Sequence, residues 1–519
     1  MKHVLVAVAL LLQSGPDKPF DSAQGKPDLW LYYPTNFLVD ANVDKAREIW
    51  TRASRAGYTK ILLADSKMGK LGDMDKRYFM NLEKAKKLAA ELNLELVPAL
   101  FHIGYSNTML WHDPNLVEGI PVKDALFVVK NGEADVVADP PVEFPAKFGF
   151  KDETVAVENG VATVKDNAKL ARFSYQFQLP KYRCYHVSVK IKTENYSANP
   201  EIKALGDGRT LQEQHLGVKH TQDWTEHHVV FNTQDHEKIG VYFGVWGAAK
   251  GTLQWKDWKI EEAGLVNVLR RPGAPFVVQG YTEGKDYEKV ADPRLGAHPW
   301  KGEFQAWHEP VKIKTRLPDG TKLRVSWYHP GIIYDGQVSA CISEPRTMEL
   351  LADEAKRIKE AVGAKGYMMS HDEFRSCNTD ESCTKRAMDA GAMLADNARY
   401  CEKLLAGSTV YVWNDMFDPF HNAHGDYYLV RGSWAGSWEG LSKDVVIMNW
   451  NFGKRDESLK FFADRGHRQV LAGYYDAPPI QVKEWVKSGA KVKGVVGIMY
   501  TTWQNNYSHI EEFAKYARE

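Results

Sequence analysis

The run Gly366-Tyr-Met-Met-Ser-His-Asp-Glu373 begins with apolar residues and ends in a histidine followed by two adjacent carboxylates. A short apolar run bounded by polar residues predicts a buried strand whose last residues emerge into a cleft. Because carboxylates are rarely buried without a partner, Asp372 and Glu373 at the end of such a strand indicate a functional site. The alternative is a helix N-cap, in which the same carboxylates charge the first turn of a following helix.

Apolar strands alternate with helical patterns on both sides of this run. Near-continuous apolar strands separated by helices are typical of a parallel sheet covered by helices. Counting the run itself, eight strands are predicted, so the expected fold class is α/β, a (β/α)8 barrel. The other seven predicted strands are residues 28–34, 60–65, 94–102, 409–415, 444–451, 469–476 and 495–504.

The alternation breaks between the third and fourth predicted strands. There the apolar residues recur at every second position, as at Tyr185, Val187, Val189 and Ile191, which predicts an inserted antiparallel β-sandwich of the jelly-roll type. Its closing strands, with Trp255 and Trp258, resemble those of carbohydrate-binding modules, although both rings are also explained as core. The predicted division is residues 1–26, signal peptide and leader; 27–121, first part of the barrel; 122–268, sandwich; 269–345, connecting and accessory segment; and 346–519, second part of the barrel with the catalytic residues. Residues 323–329 are predicted as an accessory strand and are also a ninth candidate for the barrel.

Charge and composition restrict the partners. The 67 basic and 67 acidic residues give zero formal net charge, which argues against nucleic acid or an anionic membrane surface as a partner. Met1-Lys2-His3 followed by an apolar run to residue 12 predicts a signal peptide and a secreted or periplasmic protein, with a start-site artefact or a buried first strand as the alternative. No later segment resembles a membrane span.

Five cysteines are present, and Cys377 and Cys383 are close enough in sequence to bridge a loop. No Cys-x-x-Cys or His-x-x-x-His spacing predicts a metal site, and no organic cofactor is needed for the chemistry considered below.

Polar and aromatic residues replace the aliphatic runs at nearly every predicted strand end. In (β/α)8 barrels the reacting groups lie at the C-terminal ends of the strands, and flat aromatic faces suit sugar rings. These residues predict a carbohydrate site, although any single tryptophan is also explained by packing. The expected partner is an oligosaccharide, polysaccharide or glycoconjugate substrate. The strand ends are Tyr33, Asp65, His102, His371 to Glu373, Trp413 to Asp415, Asn449 and Trp450, Tyr474 to Asp476, and Trp503 to Asn505.

The order of these ends resembles glycoside hydrolase family 20 and the wider group of acetamido-sugar hydrolases. The shared features are an Asp-Glu pair ending strand four, a tryptophan with an acidic neighbour ending strand five, a tyrosine ending strand seven and a tryptophan ending strand eight. The resemblance covers the barrel and not the sandwich. The family carries glycines before the acidic pair, whereas Met369-Ser370-His371 stands here.

The resemblance implies a β-N-acetylhexosaminidase-like hydrolase in which the 2-acetamido oxygen of the sugar is the nucleophile. Glu373 would be the general acid, and Asp372 would orient the acetamido group. Either Tyr474 or Tyr475 would hydrogen-bond the acetamido carbonyl. The expected substrate-binding residues are His371, Trp413, Asp415, Trp450, Tyr474, Trp503, His102 and Asn505.

A condition and two alternatives accompany this hypothesis. Adjacent residues of a strand point to opposite faces, so Asp372 and Glu373 share a site only if the strand ends there and the backbone turns. A retaining glycosidase with two protein carboxylates, Asp476 being the nucleophile, is the first alternative. A non-catalytic glycan-binding protein is the second.

Overall fold

The computed structural model describes residues 27–333 and 336–519. The predicted signal peptide and leader lie outside these ranges. Within them, every helix is too short or too polar to cross a membrane.

Eight parallel strands close into a barrel, and the predicted (β/α)8 fold is confirmed. Strand β8 returns to pair with β1, with Ile498 opposite Leu29. The strands are β1 (Asp28–Thr35), β2 (Lys60–Asp65), β3 (Glu95–Leu100), β4 (Gly366–Met369), β5 (Thr409–Trp413), β6 (Val446–Asn449), β7 (Gln469–Leu471) and β8 (Val495–Tyr500).

Alternate residues of each barrel strand belong to two separate cores. Leu29, Leu31 and Tyr33 of β1 pack in the layer between barrel and helices, whereas Trp30 and Tyr32 face the barrel interior. This parity follows from the two-residue repeat of a strand, and it decides which side chains reach the mouth of the barrel.

Helices follow most of the barrel strands. Helix α4 begins with Pro345, whose fixed φ suits the first helical turn, and it is followed directly by Gly363, which has a left-handed φ of 64°. The helices are α1 (Ala41–Arg55), α2 (Lys76–Glu91), α3 (Asn107–His112), α4 (Pro345–Val362), α5 (Glu381–Thr384), α6 (Ala390–Leu404), α7 (Arg455–Asp464), α8 (Val482–Gly489) and α9 (Ile510–Tyr516). Short 3₁₀ helices are Met68–Asp73, Pro114–Leu116, Pro293–Leu295, Asp415–Phe417, Ser437–Gly440, Phe452–Lys454 and Pro479–Gln481.

The inserted segment contains two five-stranded sheets whose pairings are antiparallel. Tyr185, Val187, Val189 and Ile191 are all buried in the core between the sheets, as their alternation predicts, and Trp255 is buried with them. One sheet has the order Gln222–Asn232, Cys184–Glu194, Thr252–Glu262, Val161–Lys165, Val155–Glu158, and the other Arg209–His215, Glu201–Gly206, Lys238–Val245, Ala171–Gln178, Phe150–Lys151.

A further five-stranded sheet, the third sheet, stands apart from the sandwich pair. Its order is Val277–Val278, Lys322–Pro330, Gly119–Lys130, Glu133–Val136, Ile313–Lys314. The accessory strand predicted at residues 323–329 lies here and not in the barrel. The beginning of the predicted 122–268 segment also belongs to this third sheet. The sequence did not show this, because a period-two pattern is the same whichever sheet a strand joins.

A small parallel pairing joins two loops at the C-terminal end of the barrel. Ser376–Cys377, after β4, pairs with Leu429–Val430, after β5. The segment that follows the acidic pair is therefore held by the loop of the neighbouring strand.

Candidate active site

The backbone turns immediately after β4, and this turn brings both members of the acidic pair to one cavity. β4 ends at Met369, and Glu373 has a left-handed φ of 47°. Asp372 and Glu373 both line a cavity of about 500 Å³ at the mouth of the barrel. Gly104 permits this path, since a Cβ atom there would lie 1.9 Å from the backbone oxygen of Asp372.

Four aromatic side chains form much of the cavity wall. Tyr32, Trp413, Trp450 and Trp503 line it together with small apolar residues of the barrel interior. The ring of Tyr32 lies 5.0 Å from that of Trp503, and the rings of Trp413 and Trp503 are 6.1 Å apart. Trp503 is 49% exposed and therefore lies at the rim. The cavity has the apolar flat faces that a sugar ring requires, beside two carboxylates.

The carboxylate of Glu373 is held from two directions. Arg375 Nη2 lies 2.8 Å from Glu373 Oε1, and the hydroxyl of Tyr105 donates to Oε2. Its backbone N–H donates to Asp415 Oδ2 at 2.8 Å. These contacts fix both the side chain and the turn that carries it.

Asp372 is a carboxyl group whose ionised form is disfavoured by its surroundings. Burial, and then the charge of Glu373, raise the pKa of Asp372 from 3.8 to about 7. The negative charge of Asp372 in turn adds to burial in raising the pKa of Tyr32. The neutral and the ionised form of Asp372 are therefore both populated near pH 7.

Asp415 lies behind the pair and not in the cavity wall. Its side chain is buried, Oδ2 accepts from Asn422 Nδ2 at 2.9 Å as well as from Glu373, and Oδ1 accepts from Trp450 Nε1 at 3.4 Å. Burial and the charge of Asp372 raise its pKa well above the usual range. Asp415 therefore positions the pair and Trp450, and it is not part of the cavity lining, where the sequence placed a residue that binds sugar hydroxyls.

The structure separates the two tyrosines that the sequence left open. Tyr475 packs against Trp450 and Trp503, and its hydroxyl donates to the backbone oxygen of Trp450 at 2.7 Å. Tyr474 faces the other way and packs against Tyr500 and Phe513 in the helix layer. The turn after β7, in which Tyr475 has a left-handed φ of 52°, therefore places Tyr475 beside the site and Tyr474 in the core.

The two histidines occupy different sides of the barrel wall. His102 lines the cavity, and burial lowers its pKa to about 4, so it is neutral. His371 is buried against α6, where Nε2 lies 3.0 Å from Asn397 Oδ1, and burial lowers its pKa to about 4 also. His371 thus orders the barrel wall and does not reach the cavity, contrary to the sequence expectation.

The loop after β8 carries Trp503 to the rim and is held by Asp476. Asp476 Oδ2 accepts the backbone N–H groups of Trp503 at 2.8 Å and Gln504 at 3.2 Å. Asn505 is exposed farther along this loop and does not line the cavity, although the sequence placed it there. Asp476 is likewise not part of the lining.

Three residues of the site were missed in the sequence. Tyr32 lines the cavity, whereas the sequence pointed to Tyr33. The two residues are neighbours, and only the parity of β1 decides which of them faces inward. Tyr105 and Arg375 contact Glu373 from loops. Arg375 stands two residues after the pair, and that proximity was the one signal for it in the sequence.

No protein-family model and no curated protein matches the chain. Among solved structures, an N-acetyl-β-hexosaminidase of Streptomyces plicatus in complex with thio-NAglucal is 10% identical with a TM-score of 0.37, and the match covers 95% of this chain and 64% of that one. A rhamnosidase from Novosphingobium sp. PP1Y is 12% identical with a TM-score of 0.32, covering 96% and 59%. Dispersin B is 13% identical with a TM-score of 0.23, covering 35% and 59%. The chain spans less than two thirds of the length of these three structures.

Proposed function

We propose that the protein is a glycoside hydrolase that cleaves glycosidic bonds of 2-acetamido sugars, in the manner of a β-N-acetylhexosaminidase. The observation that carries the proposal is that Asp372 and Glu373 line the same aromatic-walled cavity at the C-terminal end of a (β/α)8 barrel. Acidic groups facing tryptophan rings at this end of a barrel suit the hydrolysis of a sugar better than its mere binding.

The adjacency of the pair argues against Asp372 and Glu373 serving as the acid and the nucleophile of a mechanism with two protein carboxylates, and we infer a substrate-assisted mechanism. Two carboxylates that act on one bond stand on opposite sides of it, about 5–9.5 Å apart. Neighbouring residues have Cα atoms about 3.8 Å apart, and these two approach the cavity from the same edge. The pair therefore supplies one acid and one orienting group, and the acetamido oxygen of the sugar supplies the nucleophile.

Each member of the pair has a role that its contacts support. Glu373, oriented by Arg375 and Tyr105, donates a proton to the leaving oxygen and then accepts one from water. Asp372, in its ionised form, accepts the acetamido N–H and stabilises the positive charge that develops on the oxazolinium-like intermediate. Tyr32, Trp413 and Trp503 enclose the ring and the acetamido methyl, and they exclude water from the reacting carbon.

The test is release of a chromophore from aryl 2-acetamido-2-deoxy-β-glucoside and its galacto epimer. We expect turnover by the parent chain and a loss on the order of 10²–10⁴-fold in Glu373→Gln, with substrate binding retained. Glu360→Gln, at an exposed position of α4, is the matched control and should keep full turnover.

Accumulation of an oxazoline product, or tight inhibition by a stable thiazoline analogue of that intermediate, would support the assisted mechanism. Turnover that is equal on substrates with and without the acetamido group would exclude it. No turnover of any aryl glycoside by the parent chain would overturn the proposal as a whole.

A further inference from the structure

Four buried side chains outside the cavity bring together two thiols and two carboxylates. Glu118 precedes the third sheet, Cys341 precedes α4, and Asp380 and Cys383 lie at α5 in the loop that follows the acidic pair. All four are buried, and one ligand atom from each lies within 4.8 Å of all the others. We name these residues the thiol–carboxylate cluster.

The spacing of the cluster fits a tetrahedral metal ion. With Zn–S bonds near 2.3 Å and Zn–O bonds near 2.0 Å, a tetrahedron has S···S edges of about 3.8 Å and S···O edges of about 3.5 Å. The observed Sγ···Sγ distance between Cys341 and Cys383 is 3.6 Å. Cys383 Sγ lies 3.3 Å from Glu118 Oε2, and Cys341 Sγ lies 3.6 Å from Asp380 Oδ1.

One oxygen atom of each carboxylate faces the centre of the cluster. Glu118 Oε1 accepts from the backbone and hydroxyl of Thr379 at 2.7 and 3.0 Å, so Oε2 is the oxygen left to face Cys383. Asp380 Oδ2 accepts from Arg271, while Oδ1 accepts the backbone N–H of Cys383 at 3.0 Å and faces Cys341. Such hydrogen bonds to the outer atoms are what orients ligands around a metal.

The charge balance around the cluster also favours a bound cation. Arg271 contacts Asp380 and Glu344 through separate nitrogens, so its single charge already faces two carboxylates. Glu118 has no ion pair among the described residues. A buried ionised carboxylate without a counter-charge is costly, and a divalent ion at the centre would remove that cost.

We propose that Glu118, Cys341, Asp380 and Cys383 bind a structural Zn²⁺ ion. Thiolate with oxygen donors in a closed tetrahedral site suits zinc, and the buried setting leaves no position open for substrate. The ion would tie the loop that carries Glu373 and Arg375 to the third sheet and to the start of α4. This proposal does not depend on the proposed function, because the cluster is separate from the cavity lining.

The first test is the metal content of the full-length chain, purified without chelators and measured by inductively coupled plasma mass spectrometry. We expect one zinc ion per chain, a melting temperature that falls when a strong chelator removes the metal, and recovery when Zn²⁺ is added. Cys341→Ser and Cys383→Ser should lower the zinc content. Cys401→Ser, which replaces a buried thiol of α6 outside the cluster, should keep it.

A second variant covers the case in which the cysteine variants fail to fold. Glu118→Gln keeps the shape of the side chain and the acceptor for Thr379, and we expect it to lose zinc to a competing chelator at least about tenfold more readily than the parent. Intact-mass measurement of the parent counts free thiols. A disulfide within the cluster, seen as the loss of two hydrogens, or a parent chain that contains no zinc and is insensitive to chelation, would overturn the proposal.

Discussion

Asp415 at the end of β5 accepts the backbone N–H of Glu373 at 2.8 Å, so the turn that ends β4 is fixed by its neighbouring strand. The same side chain accepts from Asn422 and from the indole of Trp450. One buried carboxyl group thus positions the acidic pair and one wall of the cavity together.

Replacing Asp415 should separate its structural and positioning effects. Asp415→Ala leaves three donors without an acceptor, and we expect the free energy of unfolding to fall by about 3 kcal/mol or more. In Asp415→Asn the amide oxygen can still accept from Glu373 and Asn422, but its NH₂ group then faces the indole N–H of Trp450. We expect about 1 kcal/mol of destabilisation with a clear loss of turnover, measured by urea unfolding and aryl glycoside kinetics. Equal destabilisation by both substitutions would argue against this arrangement.

Replacing Tyr105 tests whether the activity of Glu373 depends on the hydrogen bond from the Tyr105 hydroxyl. Tyr105 is 42% exposed and its hydroxyl donates to Glu373 Oε2, so Tyr105→Phe should change stability by no more than about 0.5 kcal/mol. We expect kcat to fall on the order of tenfold, because the carboxyl group loses an orienting hydrogen bond. Tyr516→Phe, at the end of α9, is the control and should leave kcat unchanged. Unchanged kcat in Tyr105→Phe would remove Tyr105 from the site.

Asp372 should make the folded chain less stable as the pH rises. Its pKa is raised from 3.8 to about 7, so between these values the unfolded chain releases a proton that the folded chain retains. The free energy of unfolding therefore falls with rising pH across this window, and the full penalty is present above pH 7. Asp372→Asn carries no such penalty.

We therefore expect Asp372→Asn to be more stable than the parent by about 4 kcal/mol at pH 8, with the difference shrinking toward pH 4. Urea unfolding of both chains at the two pH values measures this. The same variant should lose turnover, as expected of a charged group kept at a functional site. A stability difference that does not change with pH would mean that Asp372 titrates normally.

Replacing Asp476, together with a search for a covalent adduct on it, distinguishes the substrate-assisted mechanism from one with a protein nucleophile. Its Oδ2 holds the loop of Trp503, so Asp476→Ala should raise KM about fivefold while kcat changes little, since one or two hydrogen bonds to a rim loop are lost. Asp476→Asn keeps an acceptor and should be milder. A covalent adduct trapped on Asp476 by an activated 2-deoxy-2-fluoro glycoside, seen by mass spectrometry, would show that the nucleophile belongs to the protein.

The direction in which a side chain points at or after a strand end explains which site residues the sequence could predict. Asp372, Glu373 and Trp413 were found because they stand where an apolar run gives way to polar or aromatic residues. Tyr32 and Tyr33 are adjacent and chemically alike, so composition cannot say which of them faces the cavity. The same holds for Tyr474 and Tyr475, of which Tyr475 packs against Trp450 of the cavity wall. His371 belongs to the same strand end as the pair but points toward Asn397 of α6.

Contacts between distant segments account for what was missed. Tyr105 meets Glu373 although 268 residues separate them, and Glu118 meets Cys383 across 265 residues. No spacing rule along the chain reports such a pairing, which explains why neither the phenolic partner nor the thiol–carboxylate cluster was expected.

The sequence by itself determined the (β/α)8 barrel, the β-rich insertion and the strand end that carries the acidic pair, because hydrophobic periodicity is a local property that burial imposes on each element. Only the tertiary structure decided which side chains meet: the inward turn at Glu373, the place of Asp415 behind the pair, the choice of Tyr475 over Tyr474, and the sheet that residues 119–136 join. These depend on backbone turns and on contacts between elements far apart in the chain, where the same local pattern is compatible with several partners.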